Sequence, residues 1–515
     1  MEWEVIASRH REKQQASIPQ EWVLSDQKLQ ELRGAGTPKE GQLNALDVAR
    51  KSGLFTDSEL EITESYSAKE LLGKIHAGKL TSEEVTVAFC KRAALAQQLI
   101  NCLTEIFFAE GIARAKELDQ RFNETGKPTG PLHGLPISMK DSFKVKGHHA
   151  TVGYVEFLKR PPPTTNSAMV DLLLDAGATA DSENNIFGRT LNPHKTSLTA
   201  GGSTGGEGAL VSFRGSVLGV ADRTPFGGQS NYPFPKVHLP GVVPVAGPMA
   251  NSVDDLFLFM ETVLSQNPWR YDASAIAAPW SAPKSDNAKR LTVGVLPEDP
   301  EYPMHPPVRR ALEDAVSALL KAGHKVIRLP QDPDCSAGLG GRLGFQYFFM
   351  TSDGLDVLAN EIGEPLVPSV KRGVHPFTKT KPPVSADKPV AHQLSDFLGL
   401  RDAYADSWRK TWREHGLDVV IGPGAISTSV PHDTYGNPVY TLMWNVLDYP
   451  AGIIPYGFAS KEKDPSPEKA VAEFEADYDP EASDGAPCSI QVVAPRFHDE
   501  QCLEAIRIID RDIRR

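Results

Sequence analysis

The sequence predicts an α/β fold built on a mixed, largely parallel twisted sheet. Arg290–Leu296 and Lys325–Leu329 are strand-like runs on either side of the amphipathic segment Pro307–Ala322. This βαβ pattern implies a parallel pair of strands with a right-handed crossover. Leu417–Ile421 is a further apolar strand. Because no linker-like change of composition interrupts the 515 residues, we expect a single domain over residues 1–515.

The composition is that of an ordinary globular protein, with 40% hydrophobic and 23% charged residues. A net charge of -12 and the lack of a basic stripe argue against nucleic-acid binding. The sequence shows neither the apolar core of a secretory signal nor an apolar run long enough to span a bilayer, so no membrane association is expected. The five scattered cysteines form no Cys-x-x-Cys pair, which favours a cytoplasmic protein without a metal site or a catalytic cysteine.

The N-terminal quarter is predicted to be helical. Residues 1–60 are polar and helix-prone, and we interpret them as an arm on the main body. Thr81 and Glu84 form a capping box, and Val85 and Phe89 lie on one face of the helix that follows. The helices predicted after the arm are Ser67–His76, Thr81–Cys90 and Ile112–Phe122.

Residues 130–260 are predicted to alternate strands and helices around the chemistry-bearing motifs. A short apolar strand, Pro136–Met139, leads directly into Lys140. The helix Ala168–Ala176 is expected to end at Gly177, which tolerates the left-handed conformation of a helix C-terminus. Further predicted features are the capped helix Ser252–Met260, surface segments over Pro368–Pro389 and Lys461–Asp484, and a second α/β portion of the same domain over residues 290–515.

The most informative motif is the glycine-rich stretch Thr199-Ala-Gly-Gly-Ser-Thr-Gly-Gly-Glu-Gly-Ala209. It is typical of a loop that runs into a helix near Ala209 and Leu210, presenting backbone N–H groups to negative charge. A Walker loop is excluded because no Lys-Ser/Thr follows the last glycine. A phosphate cradle, a tight turn and a hydrolase loop remain open from these residues alone.

Lys140 is the second candidate. Most lysines beside an aspartate are solvated surface charges. Here the lysine ends an apolar strand, a position that points into a protein. A desolvated lysine can be neutral near pH 7 and can activate a serine hydroxyl for attack on an amide carbonyl.

With both motifs in view, the chain resembles the amidase signature family, and within it the fungal acetamidase-like branch. The resemblance implies an α/β/α sandwich and covers nearly the whole chain in order. The other matching stretches are Ala68-Lys-Glu-Leu-Leu72, Leu80-Thr-Ser-Glu-Glu-Val85, Gly130-Pro-Leu-His-Gly-Leu-Pro-Ile-Ser138, Gly247-Pro-Met-Ala-Asn-Ser-Val-Asp-Asp-Leu256, Leu447-Asp-Tyr-Pro-Ala-Gly-Ile-Ile-Pro455 and Gly485-Ala-Pro-Cys-Ser-Ile-Gln491.

The resemblance implies a Ser–cis-Ser–Lys mechanism without a cofactor or metal. Lys140 matches the family's ultimate base, and Ser203 matches the serine that relays the proton between base and nucleophile. Thr204 stands where a second serine is usual and keeps the hydroxyl. The nucleophile of the family lies downstream in Gly-Thr-Asp-x-Gly-Gly-Ser-Ile-Arg, whose backbone N–H groups form the oxyanion hole. The expected substrate-binding residues are Gly202, Thr204, Gly205 and Gly206.

The chain departs from this pattern where the nucleophile is expected. One alignment pairs Gly227-Gly228 with the family's glycines and puts Gln229 at the nucleophile. The alignment we favour matches Gly219–Ala221 to the start of the nucleophile segment, so that roughly two dozen residues, enough for a loop and a strand, are missing before Asp222. Ser230 and Thr224 are weak substitutes, because neither lies in a motif that would supply an oxyanion hole.

A second join supports this interpretation. Between Gly177–Ala180 and Asp181–Asn185 the family carries a buried strand and a Lys-Thr-x-x-Pro loop that this sequence lacks. The fold is therefore expected to lack one or two central strands. Losing central strands leaves unpaired backbone groups, which is costly.

The expected function is hydrolysis of a carboxylic acid amide, with short acetamide-like amides as substrates, in a chain that lacks its nucleophile as written. Two alternatives stay open. One is a non-catalytic member that binds an amide or a protein partner, and the other is an amidotransferase-type subunit. A homodimer is also compatible with the sequence.

Overall fold

The computed structural model describes all residues except 1, 34–44, 184–187, 203, 222–241, 243–245, 274, 279, 282–287, 351–363, 366, 369–383, 386 and 472–474. Its contacts divide the chain into two compact units. The first takes in Met1–Pro235, Pro244–Trp280 and Asp356–Pro365, and the second Lys236–Val243, Ser281–Leu355 and Leu366–Arg515. That both units belong to one domain stays a prediction.

The first unit is rich in helices, as the sequence predicts. The capping box of Thr81 and Glu84 is confirmed, and Gly177 adopts the expected positive φ after the helix it ends. The helices of this unit are α1 Glu2–Ala16, α2 Asp26–Leu32, α3 Ala45–Ser52, α4 Asp57–Ser65, α5 Ala68–His76, α6 Ser82–Ile100, α7 Phe108–Thr125, α8 Ala168–Asp175, α9 Gly205–Ser212 and α10 Val253–Ser265. None of the described helices combines the length and apolar character that a membrane crossing requires.

Among the described residues of the first unit, four strands form a sheet in the order β2-β1-β3-β4. They are β1 Pro136–Lys140, β2 Thr179–Glu183, β3 Leu218–Ala221 and β4 Gly247–Ala250. β1 pairs in parallel with both β2 and β3, while β3 and β4 are antiparallel. The mixed, largely parallel sheet expected from the sequence is present.

The structure corrects one expectation about this sheet. Thr179–Glu183, where a strand was predicted to be lost, form the five-residue strand β2. Its backbone pairs with β1 from Pro136 to Lys140. Without a neighbour on this side, β1 would have unpaired backbone N–H and C=O groups. Residues 179–183 form hydrogen bonds with these groups although their sequence lacks an apolar strand pattern. The loss predicted after Ala221 falls on residues outside those described.

The two faces of β1 have different roles. Ile137 and Met139 are buried in a core with residues of α5, α6 and α8. Because side chains alternate along a strand, Ser138 and Lys140 lie on the opposite face. Helix α9 packs against β1 and β3, and its Glu207 contacts Ser138. The site-bearing face of β1 is therefore the one that carries α9.

In the described part of the second unit, five strands form a sheet in the order β6-β5-β7-β9-β8. Its strands are β5 Thr292–Val295, β6 Lys325–Arg328, β7 Val419–Pro423, β8 Ala451–Phe458 and β9 Pro487–Val493, and its helices α11 Pro306–Lys321, α12 Ala337–Met350, α13 Val390–His415, α14 Val439–Leu447, α15 Pro480–Ser483 and α16 Asp499–Ile513. The predicted parallel pair β5–β6 is confirmed. The described residues of the segment predicted at the surface over 461–484 are mostly exposed, and Asp464 is an exception that is buried and binds the Arg310 guanidinium. Most of Pro368–Pro389 lies outside the described residues.

A buried carboxylate ties the N-terminal arm to the first unit. Glu105 lies 2.7 Å from His10 on α1 and 3.6 Å from His148, and His148 lies 3.1 Å from Glu110. Burial would raise the pKa of Glu105, but His10 and His148 outweigh it and lower the pKa to about 2. Burial would also lower the pKa of His148, but the two glutamates raise it above its usual value.

These shifts predict a pH window of greatest stability for the first unit. Glu105 contributes fully above its ordinary pKa of 4.5 and loses its contribution as pH falls toward about 2. His148 contributes fully below 6.5 and loses its contribution as pH rises through its raised pKa. We expect Glu105→Gln to cost about 3 kcal/mol near pH 5.5 and less near pH 8.5. Chemical unfolding at both pH values measures this, with Glu117→Gln as control, since Glu117 is an exposed glutamate of α7 that lies beside Arg114. An equal loss at both values would contradict the assignment.

Candidate active site

Lys140 is the last residue of β1, at the carboxyl end of a strand flanked by two parallel neighbours. Ligands of open α/β sheets bind beyond this edge of the sheet. Lys140 is partly buried there.

The glycine-rich loop reaches the same edge. Because β3 is parallel to β1, α9 must run back against the strands, and it therefore begins beside their carboxyl ends. The helix begins at Gly205, earlier than predicted, so that Gly205 and Gly206 occupy its first turn. Glycines are tolerated there because the first N–H groups of a helix have no intrahelical partner.

The substrate-binding candidates flank that helix start. Gly202 is exposed, and a Cβ added to it would meet no atom within 4 Å. Thr204 is partly buried and precedes α9 without a capping hydrogen bond from its side chain. Gly201 has a φ of +82°, so the loop turns through a left-handed conformation that favours glycine. Open space therefore lies beside the loop on the edge that carries Lys140.

Several predicted residues fall outside the described part of the chain. Ser203, the relay candidate, is one of them. Gln229, Ser230 and Thr224, which the alternative interpretations place at or near the nucleophile, are the others. Ala221, the residue before the predicted gap, ends β3. The chain therefore leaves β3 at the same carboxyl edge as Lys140.

The sequence analysis missed the contact that joins the two motifs. The Ser138 hydroxyl on β1 donates to Oε1 of Glu207, the third residue of α9. Lys140 follows Ser138 by two residues on the same face, and Thr204 precedes Glu207 by three. The signal that could have found the contact is a glutamate inside the otherwise small and apolar start of a helix.

A second anchor follows Lys140 directly. The buried Asp141 carboxylate accepts hydrogen bonds from the backbone N–H groups of Thr151 at 2.8 Å and Val152 at 2.5 Å. Val152 has a φ of +50°, which is strained for a β-branched residue. Asp141 thus holds a strained turn beside the end of β1, so that Lys140 lies between two fixed points.

Removing this anchor should destabilise the first unit. Asp141→Ala leaves two backbone N–H groups without their acceptor, and we expect a loss of about 3 kcal/mol in the free energy of unfolding. Asp141→Asn, which keeps an acceptor oxygen of the same reach, should lose less than half as much. Urea unfolding of both variants measures the difference. Equal losses would show that the carboxylate does not hold the turn through hydrogen bonds.

The second unit offers a weaker candidate. A cavity of about 30 Å³ lies beyond β5 and β6, with Asp299, Cys335 and Trp408 in its lining. That volume suits about one water molecule, so the cavity is too small for an amide. Burial raises the pKa of the Cys335 thiol to about 11, which leaves it protonated and unreactive. No group of three metal-binding side chains was found among the described residues.

Lys140 at the end of β1 and the glycine-rich loop at the start of α9 thus lie at one edge of the first sheet. The family model described as Amidase matches residues 84–224 and 226–503. The chain belongs to the amidase family, and it is an enzyme of the class that hydrolyses amides.

Similar proteins agree with this assignment. The chain is 36% identical to an amidase of Gibberella moniliformis, with 98% of each chain covered. It is 35% identical to an acetamidase of Emericella nidulans, over 97% of this chain and 96% of the relative. A solved fatty acid amide hydrolase is similar with a TM-score of 0.87 and 28% identity, covering 99% of this chain and 95% of that one. The predicted amidase signature fold is confirmed.

Proposed function

We propose that this site binds short carboxylic acid amides, with Lys140 as the base and Ser203 as the proton relay. The observation that carries the proposal is the meeting of the Lys140 end of β1 and the start of α9 at one sheet edge. The acetamidase names of two relatives support the choice of short amides. Open space beside Gly202 suits a small ligand next to the loop.

In a complete site of this kind, the nucleophilic serine gives its proton through Ser203 to the Lys140 amine and attacks the amide carbon. The tetrahedral intermediate collapses when its nitrogen takes a proton back and leaves as ammonia. Water then cleaves the acyl-enzyme to the acid and free serine, so that amide and water become acid and ammonia. Lys140 and Ser203 would serve as base and then as acid in both halves.

We further propose that this chain lacks the nucleophile segment after Ala221 and binds amides without turning them over. The alignment with the Gibberella amidase runs over 542 positions, whereas the chain has 515 residues, so at least 27 positions have no residue here. The family match is interrupted at Pro225, three residues after Asp222, the first residue that follows the predicted join. β3, the strand that precedes this join, ends at the same edge of the sheet as Lys140. A nucleophile would be needed at that edge.

A rival substrate class comes from the fatty acid amide hydrolase, whose name says that it acts on fatty acid amides. An amidotransferase-type role has no supporting observation, nor does a protein partner. Cytoplasmic location, a homodimer and the lack of nucleic-acid binding stay predictions from the sequence.

Two experiments test the proposal. Sequencing the transcript across codons 177–185 and 219–226 should give the joins as they stand, and an additional Gly-Gly-Ser-Ile-Arg block would contradict the missing nucleophile. The substrate class is tested in a restored chimera, defined as this chain carrying the residues that the Gibberella amidase has, and this chain lacks, between positions 177 and 226. Its kcat/KM should be higher for acetamide than for a long-chain fatty amide, and the reverse order would favour the rival.

A further inference from the structure

The proposed mechanism leaves one buried acidic side chain of the site unexplained. Glu207 is only 1% exposed, although it lies directly beside the glycine-rich loop. Glutamate is rarely buried so completely unless it is bound on several sides. Its Oε1 accepts a hydrogen bond from the Ser138 hydroxyl. The Glu207 carboxylate is therefore held at a specific position against the sheet.

Gly219 provides the space that the Glu207 carboxylate occupies. Ser138 and Gly219 are direct partners in the parallel register of β1 and β3. A Cβ added to Gly219 would overlap Oε1 of Glu207 and come within 2.7 Å of its Cδ and 3.0 Å of its Cγ. All three nearest atoms belong to Glu207. The sheet thus has a recess at Gly219, which has no side chain, next to the Ser138 hydroxyl. The Glu207 carboxylate fills this recess.

The recess fixes the first turn of α9 against β1 and β3. Glu207 is the third residue of the helix, where the helix dipole favours a negative charge. The glycines before it have little intrinsic preference for one backbone conformation. Without an anchor, the loop from Gly201 to Gly206 would be free to move relative to Lys140.

We propose that Glu207 is the positioning residue that sets the start of α9, and the glycines that lead into it, against the Lys140 end of β1. This rests on the proposed function in taking Lys140 and Ser203 as base and relay. Glu207 acts through the backbone of α9 and not on the substrate. Ser138 and Gly219 are its partners in the sheet.

Hydrogen exchange of the full chain, read by peptide mass spectrometry, tests the anchor without any need for turnover. Glu207→Ala should speed amide exchange in residues 199–206 by about tenfold and leave α7 and α11 unchanged. Glu207→Gln, which keeps the acceptor, should exchange like the unmodified chain. The matched control is Glu70→Ala, since Glu70 is also the third residue of its helix but is exposed and hydrogen-bonds its own cap, Ser67. Unchanged loop exchange, or equal acceleration throughout the first unit, would overturn the proposal.

A double-variant comparison tests the recess itself. Gly219→Ala alone should speed loop exchange as Glu207→Ala does, because the added methyl displaces the carboxylate. In the Glu207→Ala background it should add nothing further, because the atoms it collides with are gone. Additive effects of the two substitutions would contradict the recess.

Activity gives a readout that a purely structural role would not move. In the restored chimera, Glu207→Ala should lower kcat about a hundredfold, with KM changed less than about threefold, because a small misplacement of base and relay slows chemistry more than binding. Glu207→Gln should recover kcat to within about threefold of the parent chimera. A matching loss in both variants would overturn the positioning role. An inactive chimera would count against the proposed function alone, because the exchange experiment does not depend on it.

Discussion

The restored chimera should hydrolyse acetamide at least about 10⁴ times faster than the unmodified chain. The reason is that a nucleophile and its oxyanion hole act as a unit, and base and relay without them have no hydroxyl to activate. The inserted residues would continue from β3, whose last residue, Ala221, lies at the carboxyl edge of the sheet. Ammonia release under identical conditions measures the gain.

The matched control is the same chimera with the serine of its inserted Gly-Gly-Ser-Ile-Arg block replaced by alanine. This variant should hydrolyse acetamide no faster than the unmodified chain, although the insertion and the rest of the sequence are identical. Equal turnover in the serine and alanine chimeras would show that the insertion acts in some way other than by supplying a nucleophile.

The second large effect concerns the base and the relay. In the restored chimera, Lys140→Ala and Ser203→Ala should each lower kcat by about 10³-fold or more, because each interrupts the same proton path. Combining them should cost little beyond the larger single loss, since members of one catalytic unit are strongly non-additive. Steady-state kinetics of the two single variants and the double variant measure the effect.

Lys146→Ala is the control for charge, because Lys146 is an exposed lysine six residues after Lys140. It should leave kcat within about threefold of the chimera. If the kcat losses of Lys140→Ala and Ser203→Ala multiply in the double variant, the two residues do not act on the same proton path. Full activity of Lys140→Ala would remove the lysine from the mechanism.

Most helices of the first unit could be predicted because their signals are local. The capping box of Thr81 and Glu84 and the positive φ of Gly177 depend on a few neighbouring residues. Strand β2 could not be predicted in this way. Thr179–Glu183 has no apolar alternation, and it forms a strand because β1 offers it a partner.

The parts of the site whose residue types indicate their chemistry could be predicted from the sequence. The packing of residues that are distant in the sequence could not. Lys140 and the glycine-rich loop stand out in the sequence because their types and spacing are unusual. The fit of Glu207 to Ser138, 69 residues away, and to Gly219 depends on the pairing of β1 with β3. A lone glycine inside a strand is a hint of such a close approach, but it does not name the partner.

The most direct test is ammonia release from acetamide and benzamide by the unmodified chain and by its Lys140→Ala variant. If the nucleophile segment is absent, both proteins should release ammonia only at the uncatalysed rate. Measurable hydrolysis by the unmodified chain that Lys140→Ala abolishes would contradict the account, because it would require a nucleophile in this chain as it stands.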